Sequence, residues 1–300
     1  MGFIRPKILN SCPICKASDI SVIKSLPKYP ITELFYEKSQ TPEFPITEVD
    51  QDFCICNKCS HGFLKTVVSP EYLYADTNYN TVTTESGGAI LSVKNFTSFI
   101  LKNGYESNYT IDIGGNSSSL LEDIIAPSGC VIDPNAKLAN GSKYEVLNNF
   151  FEKVETKDFD KKGLTIVSSH TLEHIESPNK FFEFLRSFSS LEKVYLQFPS
   201  LELMVESNRY DLINNQHLHY FTLNSIKNLV KKYDFDLINY EFDIEHYGTL
   251  RVLLTPKKTN INMIEIPDYV SENNAISNDF IALRLKHFTE SACYLNEIIA

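Results

Sequence analysis

Residues 109–121 read YTIDIGGNSSSLL. An apolar, β-branched run carries the chain into Asp112. Gly114 and Gly115 follow, then Asn116 and three serines, then the leucines of a new amphipathic stretch. Strand, glycine turn and helix in that order form the outline of a loop that lays its backbone against a nucleotide. The two glycines would let the backbone pass under a ligand with no Cβ in the way. The third glycine of the usual pattern is absent, and Ser117–Ser119 stand in its place. They leave amide donors at the helix N-terminus, and Ser118 is placed to cap that helix.

Working outward, short apolar runs alternate with amphipathic ones. SSLLEDIIA (118–126) reads as the helix, CVIDP (130–134) as a second strand and YEVLN (144–148) as a third. The second strand ends in Asp133 and Pro134, where a carboxylate commonly takes ribose hydroxyls about 20 residues after the loop. LTIVSS (164–169) reads as a buried strand, and PNKFFEFLRSFS (178–189) has helical periodicity with Pro178 in its first turn. KVYLQFPS (193–200) is another strand, followed by a helix over about 223–233. Two last strands, 236–243 and TLRVLLTP (249–256), are close enough to form an antiparallel hairpin. The fold class is therefore α/β. Five parallel-type strands closed by a hairpin resemble the Rossmann-like, seven-stranded sheet of class I, S-adenosylmethionine-dependent methyltransferases. A cofactor-free α/β domain that keeps the turn for packing is the alternative.

The chain has 300 residues, 43% of them apolar, so it can bury a substantial core. Its formal charge of −10 and sequence pI near 5.2 offer no basic stripe for a nucleic-acid backbone. No apolar run reaches the roughly 18 residues of a membrane span. MGFIRPKILNSCPIC lacks the apolar core of a secretion signal, and Pro6 spoils a myristoylation signal. A cytoplasmic location is expected, with neither nucleic acid nor membrane as partner.

Four of the seven cysteines form two C-x-x-C pairs, Cys12–Cys15 and Cys56–Cys59. Each pair puts two sulfurs on one side of a tight turn, and four thiolates make a closed tetrahedral site suited to structural zinc. Disulfides would need an oxidising compartment, and a redox pair a βαβ setting. Proline-rich residues 27–46 read as an insertion between the two knuckles, and Cys54 as a bystander. The expected division is a zinc-binding module over 1–70, a cofactor-binding domain over 71–257 with a helical lead-in, and a helical tail over 258–300.

Three further stretches, SSHTLEHIESP (168–178), NNQHLHYFT (214–222) and DIEHYGTLR (243–251), hold five of the seven histidines. A single histidine is more often a satisfied structural residue; clustering at one end of a sheet favours function. At these residues the chain resembles a family, the S-adenosylmethionine-dependent C-methyltransferases of nucleotide-linked keto-deoxysugars. The family's N-terminal module closes with a segment like CNKCSHGFL. Its cofactor loop, Glu-Ile-Gly-Ser-Asn-Asp-Gly-Thr-Leu-Leu, aligns without a gap with DIGGNSSSLL, and VIDPNA, SSHTLEHIESP, QHLHYFT and EHYGTLRV follow in the family's order. The resemblance covers about residues 10–255.

The resemblance implies deoxysugar or polysaccharide-precursor biosynthesis, a nucleotide-sugar substrate and S-adenosylmethionine as cofactor. It matches Glu245 and His246 to the family's Glu-His pair, in which the histidine removes the proton beside the ketone. It matches His217 to a histidine near the developing enolate oxygen, and Tyr79 to a tyrosine-bearing segment, with Tyr74 as the alternative. His170 and His174 fall in a stretch that reports cofactor binding, beside Asp112, Gly114, Gly115, Asn116, Asp133 and Pro134. The family's loop aspartate and glycine are Ser117 and Ser118 here, which predicts a weaker hold on the cofactor. Family members carry a further C-terminal domain, so a short variant, a partner subunit or a homo-oligomer is expected. O-methylation of a sugar or small acid, and a non-catalytic binding subunit, are the other readings.

Overall fold

The computed structural model describes residues 6–31, 46–74, 87–138, 141–244 and 248–257, together with Arg284. The chain opens with β1 (Lys7–Ile8), β2 (Ile20–Pro30), β3 (Glu48–Cys56), β4 (Gly62–Leu64) and β5 (Thr66–Val67). β2 and β3 pair antiparallel from Ile20 opposite Cys56 to Pro30 opposite Glu48. The stretch expected as an insertion therefore begins inside a strand: Pro27–Pro30 belong to β2, and residues 32–45 lie outside the described residues. Pro27 and Pro30 are tolerated because β2 is the edge strand of its sheet.

α1 (Pro70–Leu73) starts at Ser69, whose hydroxyl accepts from Glu71 N. α2 (Gly87–Lys102) buries Phe96, Phe99 and Ile100 against one face of the main sheet. That sheet begins with β6 (Tyr109–Ile113), all five of whose residues are buried, as a central strand covered on both faces requires. α3 (Ser119–Asp123), β7 (Gly129–Ile132), β8 (Glu145–Leu147), β9 (Leu164–Ser169), α4 (Pro178–Arg186) and β10 (Leu191–Pro199) follow. The expected helix over 118–126 is shorter than its periodicity suggested. Its chain turns out at Ile125, which takes φ 54° and is exposed. α4 keeps its amphipathic promise: Ser177 caps it, and Phe181, Phe182 and Leu185 are fully buried. Each such side chain contributes roughly 1.5–3 kcal/mol by leaving water.

After β10 come α5 (Leu201–Glu206), β11 (His219–Tyr220), α6 (Leu223–Lys232), β12 (Phe235–Asp243) and β13 (Thr249–Pro256). The main sheet runs β12-β13-β10-β9-β6-β7-β8, with β6 to β10 parallel. β13 is antiparallel to both β10 and β12. Five parallel strands closed by an inserted antiparallel hairpin are the class I methyltransferase fold. The sequence pattern did not reveal α5 or β11. β11 leaves the main sheet and joins the amino-terminal one, whose order is β11-β4-β3-β2. The module expected over residues 1–70 is thus stitched to residues 219–220. Among the described residues, no helix is long and apolar enough to cross a membrane.

Candidate cofactor and acceptor site

The C-terminal ends of β6, β7 and β9 open onto a cavity of about 630 Å³. Strand ends at the point where the sheet order reverses are where such sheets hold ligands. Gly114 is the first residue past β6 and takes φ 76°. A Cβ there would stand 2.1 Å from Thr171 Oγ1, and one on Gly115 would stand 2.4 Å from Asp112 Oδ2. Both glycines are therefore fixed by close approach, and Gly114 by its backbone conformation as well. Asn116 also turns to positive φ, and its carbonyl accepts from Lys137 N at 2.9 Å.

The serines behave differently from the expectation. Ser118 occupies the cap position of α3, but its hydroxyl donates to Glu122 Oε1 at 2.6 Å and caps nothing. Ser117 and Ser119 share a hydrogen bond at 2.8 Å.

Two carboxylates sit beneath and beside the loop. Asp112 is 1% exposed, and its Oδ1 has no hydrogen-bond partner among the described residues. Burial and the nearby charge of Asp133 push its carboxyl well above the usual range. Asp133, at the end of β7, accepts from Asn135 N at 2.6 Å, and burial raises it too.

Histidines line the other end of the cavity. His170 takes φ 49°, its Nε2 lies 3.2 Å from Ser92 Oγ on α2, and its Nδ1 lies 3.3 Å from Glu173 Oε1. Glu173 is 1% exposed, and its Oε2 has no partner among the described residues. Burial would raise its carboxyl. His170's hydrogen bond and the charges of the surrounding histidines outweigh that and hold it at about 2. His174 Nδ1 lies 3.0 Å from the Gln216 carbonyl and 3.0 Å from the Tyr74 hydroxyl. His217 meets His174 edge to face, with ring centroids 4.8 Å apart. Burial drives His217 down to about 3, so it is a neutral imidazole at neutral pH.

On the amino-terminal module, Cys12 Sγ lies 3.6 Å from Cys59 Sγ, and Cys15 Sγ lies 3.5 Å from Cys56 Sγ. All four sulfurs lie within 4.8 Å of one another. Thiolates around a zinc ion at about 2.3 Å stand roughly 3.8 Å apart, so the cluster has the dimensions of such a site. Cys54 lies outside the cluster, and its buried thiol is pushed up to about 11.

Of the residues singled out from sequence, Gly114, Asn116, Asp133, Pro134, His170, His174 and His217 line the cavity, and Asp112 and Gly115 support its floor. Tyr79, Glu245 and His246 lie outside the described residues. Gly248, just past the Glu-His pair, gives its carbonyl to Ser200 N at 2.9 Å, next to the cavity-lining Pro199. Thr171, Ser92 and Asn135 also line the cavity and were not foreseen. Only Asn135 left a signal, since Asp-Pro-Asn is a turn-forming sequence.

A protein-family model described as a methyltransferase domain matches residues 91–240. No curated protein matches the sequence. Among solved structures, magnesium protoporphyrin IX methyltransferase from Synechocystis is 14% identical, over 57% of this chain and 84% of that one, with TM-score 0.44. The plantazolicin methyltransferase BpumL is 16% identical, over 63% of this chain and 95% of that one, with TM-score 0.48. A didemethyltoxoflavin methyltransferase from Burkholderia thailandensis is 8% identical, over 58% of this chain and 80% of that one, with TM-score 0.43.

Proposed function

The chain belongs to the methyltransferase-domain family, and we propose that it moves the methyl group of S-adenosylmethionine to a nucleotide-linked keto-deoxysugar or a related polysaccharide precursor. The observation that carries the cofactor assignment is the floor of the loop. Asp112, whose buried Oδ1 has no partner among the described residues, packs against Gly115, where an added Cβ would stand 2.4 Å from its Oδ2. An orphaned buried acceptor costs free energy unless a ligand satisfies it. Gly114 to Asn116 would pass under the cofactor, and Asp133 would take its ribose hydroxyls. Ile132 and Phe150 would flank its base. The bound cofactor supplies an electrophilic methyl group on a sulfonium; the chain must orient the acceptor and take up its proton.

Glu245 and His246 are proposed for that proton. The resemblance supports this, and so does the root of their turn, where Gly248 is bonded beside the cavity wall. Buried Arg251 adds rigidity there by pairing with Glu241 and Asp243 across the hairpin. His217, a neutral imidazole at the cavity wall, is proposed as the partner of the developing enolate oxygen. It would equally serve a hydroxyl acceptor, so O-methylation is the second reading. Cys12, Cys15, Cys56 and Cys59 are proposed to hold structural zinc.

Calorimetric titration with S-adenosylmethionine and S-adenosylhomocysteine tests the cofactor assignment. Micromolar binding is expected; no binding to folded, zinc-replete protein overturns it. For the acceptor end, His246→Ala is expected to keep S-adenosylhomocysteine binding and lose methyl transfer to keto-sugar nucleotides.

A further inference from the structure

Glu173, His174 and His217 come from two distant segments and meet at the cavity wall. One ligand-type atom of each lies within 4.8 Å of the other two. The hydrogen-bond pattern gives this meeting its meaning. His174 Nδ1 faces the Gln216 carbonyl, which can only accept, so that nitrogen carries the proton. His174 Nε2 then turns a lone pair toward Glu173 Oε1, 3.8 Å away. His217 brings its ring to 4.8 Å from that of His174 and adds a second imidazole nitrogen to the same point. Glu173 adds a buried carboxylate whose Oε2 has no partner among the described residues. Three electron-pair donors thus converge on one point, and a cation at the centre satisfies all three.

The surroundings have the form that ligating groups need. Histidine ligands commonly give their second ring nitrogen to a backbone carbonyl, which fixes tautomer and ring plane. His174 does so here, on the Gln216 carbonyl. His170 holds Glu173 Oε1 at 3.3 Å and is itself held by Ser92 at 3.2 Å. The Glu173 carbonyl accepts from Leu218 N at 2.8 Å, locking the segment that carries His217 against the one that carries the pair. Two imidazoles and one carboxylate suit zinc, manganese, iron or cobalt, and such a set leaves coordination positions open. Bonds of about 2.0–2.2 Å would bring the ligand atoms to roughly 3.0–3.5 Å apart. Closing the present spacing takes a shift of about an ångström, within the reach of histidine side-chain rotation.

We propose that Glu173, His174 and His217 bind one divalent transition-metal ion, whose open positions face the cavity and take a pair of oxygens of the methyl acceptor. The second clause rests on the methyl-transfer reading; the ion site does not. An acceptor with vicinal oxygens, such as a hydroxy ketone or a diol, is the matching class.

The test uses the full chain with the cysteine cluster filled with zinc, titrated with cobalt(II) and followed by visible absorption. One equivalent is expected, with weak d–d bands and without the intense thiolate-to-cobalt charge transfer. Glu173→Gln and His217→Ala are each expected to lose at least about tenfold in cobalt affinity, while retaining zinc and binding of S-adenosylhomocysteine as signs of an intact fold. Cobalt bound only with thiolate bands, or equally by both variants, overturns the proposal. S-adenosylhomocysteine binding without cobalt binding sinks the ion site alone. Cobalt binding without S-adenosylhomocysteine binding keeps the ion site and sinks the methyl-transfer reading.

Discussion

The described residues carry two clusters of ligating side chains, and they are opposites. The cysteine cluster is closed: four sulfurs of one kind, three of their residues fully buried, with no side turned to the cavity. The Glu173–His174–His217 cluster is mixed and open, and all three residues line the cavity. They are nonetheless connected. β4 follows the second cysteine pair and binds β11, while Leu64 N donates to the Leu218 carbonyl at 3.1 Å. Leu218 N in turn donates to the Glu173 carbonyl. The closed cluster thus holds the sheet that sets the height of His217 over His174. One cluster builds, and the other faces the chemistry.

The largest expected effect breaks the builder. Cys56→Ser, or stripping zinc with a chelator, should cost on the order of 10 kcal/mol of metal-linked folding energy. The amino-terminal sheet should melt, and cobalt binding at the histidine cluster should be lost with it. Circular dichroism melts with and without chelator check this; an unchanged melt would separate the two clusters.

Gly115→Ala acts on the floor of the cofactor loop instead. Its Cβ meets Asp112 Oδ2 at 2.4 Å. Overpacking of about 1–3 kcal/mol should weaken S-adenosylhomocysteine binding roughly tenfold to a hundredfold, with zinc content unchanged. Isothermal calorimetry reads the first and metal analysis the second.

A pH series gives a smaller and graded effect. Burial raises the Asp133 carboxyl, so it takes up a proton at a higher pH than an exposed aspartate does. If its carboxylate binds ribose hydroxyls, affinity falls as pH drops through that raised value, by up to about tenfold per unit. Asp133→Asn should bind more weakly near neutrality and lose that part of the pH dependence.

The smallest effect touches neither cluster. Thr222 and Ser225 form a reciprocal capping box at the start of α6, with bonds of 3.0 and 2.9 Å. Thr222→Ala should cost about 1 kcal/mol, seen as a melting shift of about 2–4 °C with unchanged ligand binding.

What the sequence disclosed follows the same division. C-x-x-C pairs and the Gly-Gly turn are local: their chemistry lies within four residues, so spacing alone reveals it. The strands of the main sheet were equally legible, since β9 and β13 begin and end where their apolar runs do. β11 was not legible, because two residues carry no periodicity and their pairing with β4 spans about half of the chain. The histidine cluster was half legible. Glu173 and His174 are adjacent, but His217 joins them from a segment about 40 residues on, and the Gln216 carbonyl of that segment orients His174. The capping role expected of Ser118 failed for a local reason: its hydroxyl turns to donate to the Glu122 carboxylate, one helical turn on, and accepts from no amide of the first turn.

The most direct measurement is amide hydrogen exchange on the zinc-replete chain with and without S-adenosylhomocysteine. The account predicts slowed exchange over residues 113–119 and 133–137, while the knuckles at 12–16 and 56–61 stay as they were. Unchanged exchange in the cofactor loop at saturating ligand, or protection confined to the knuckles, would contradict it.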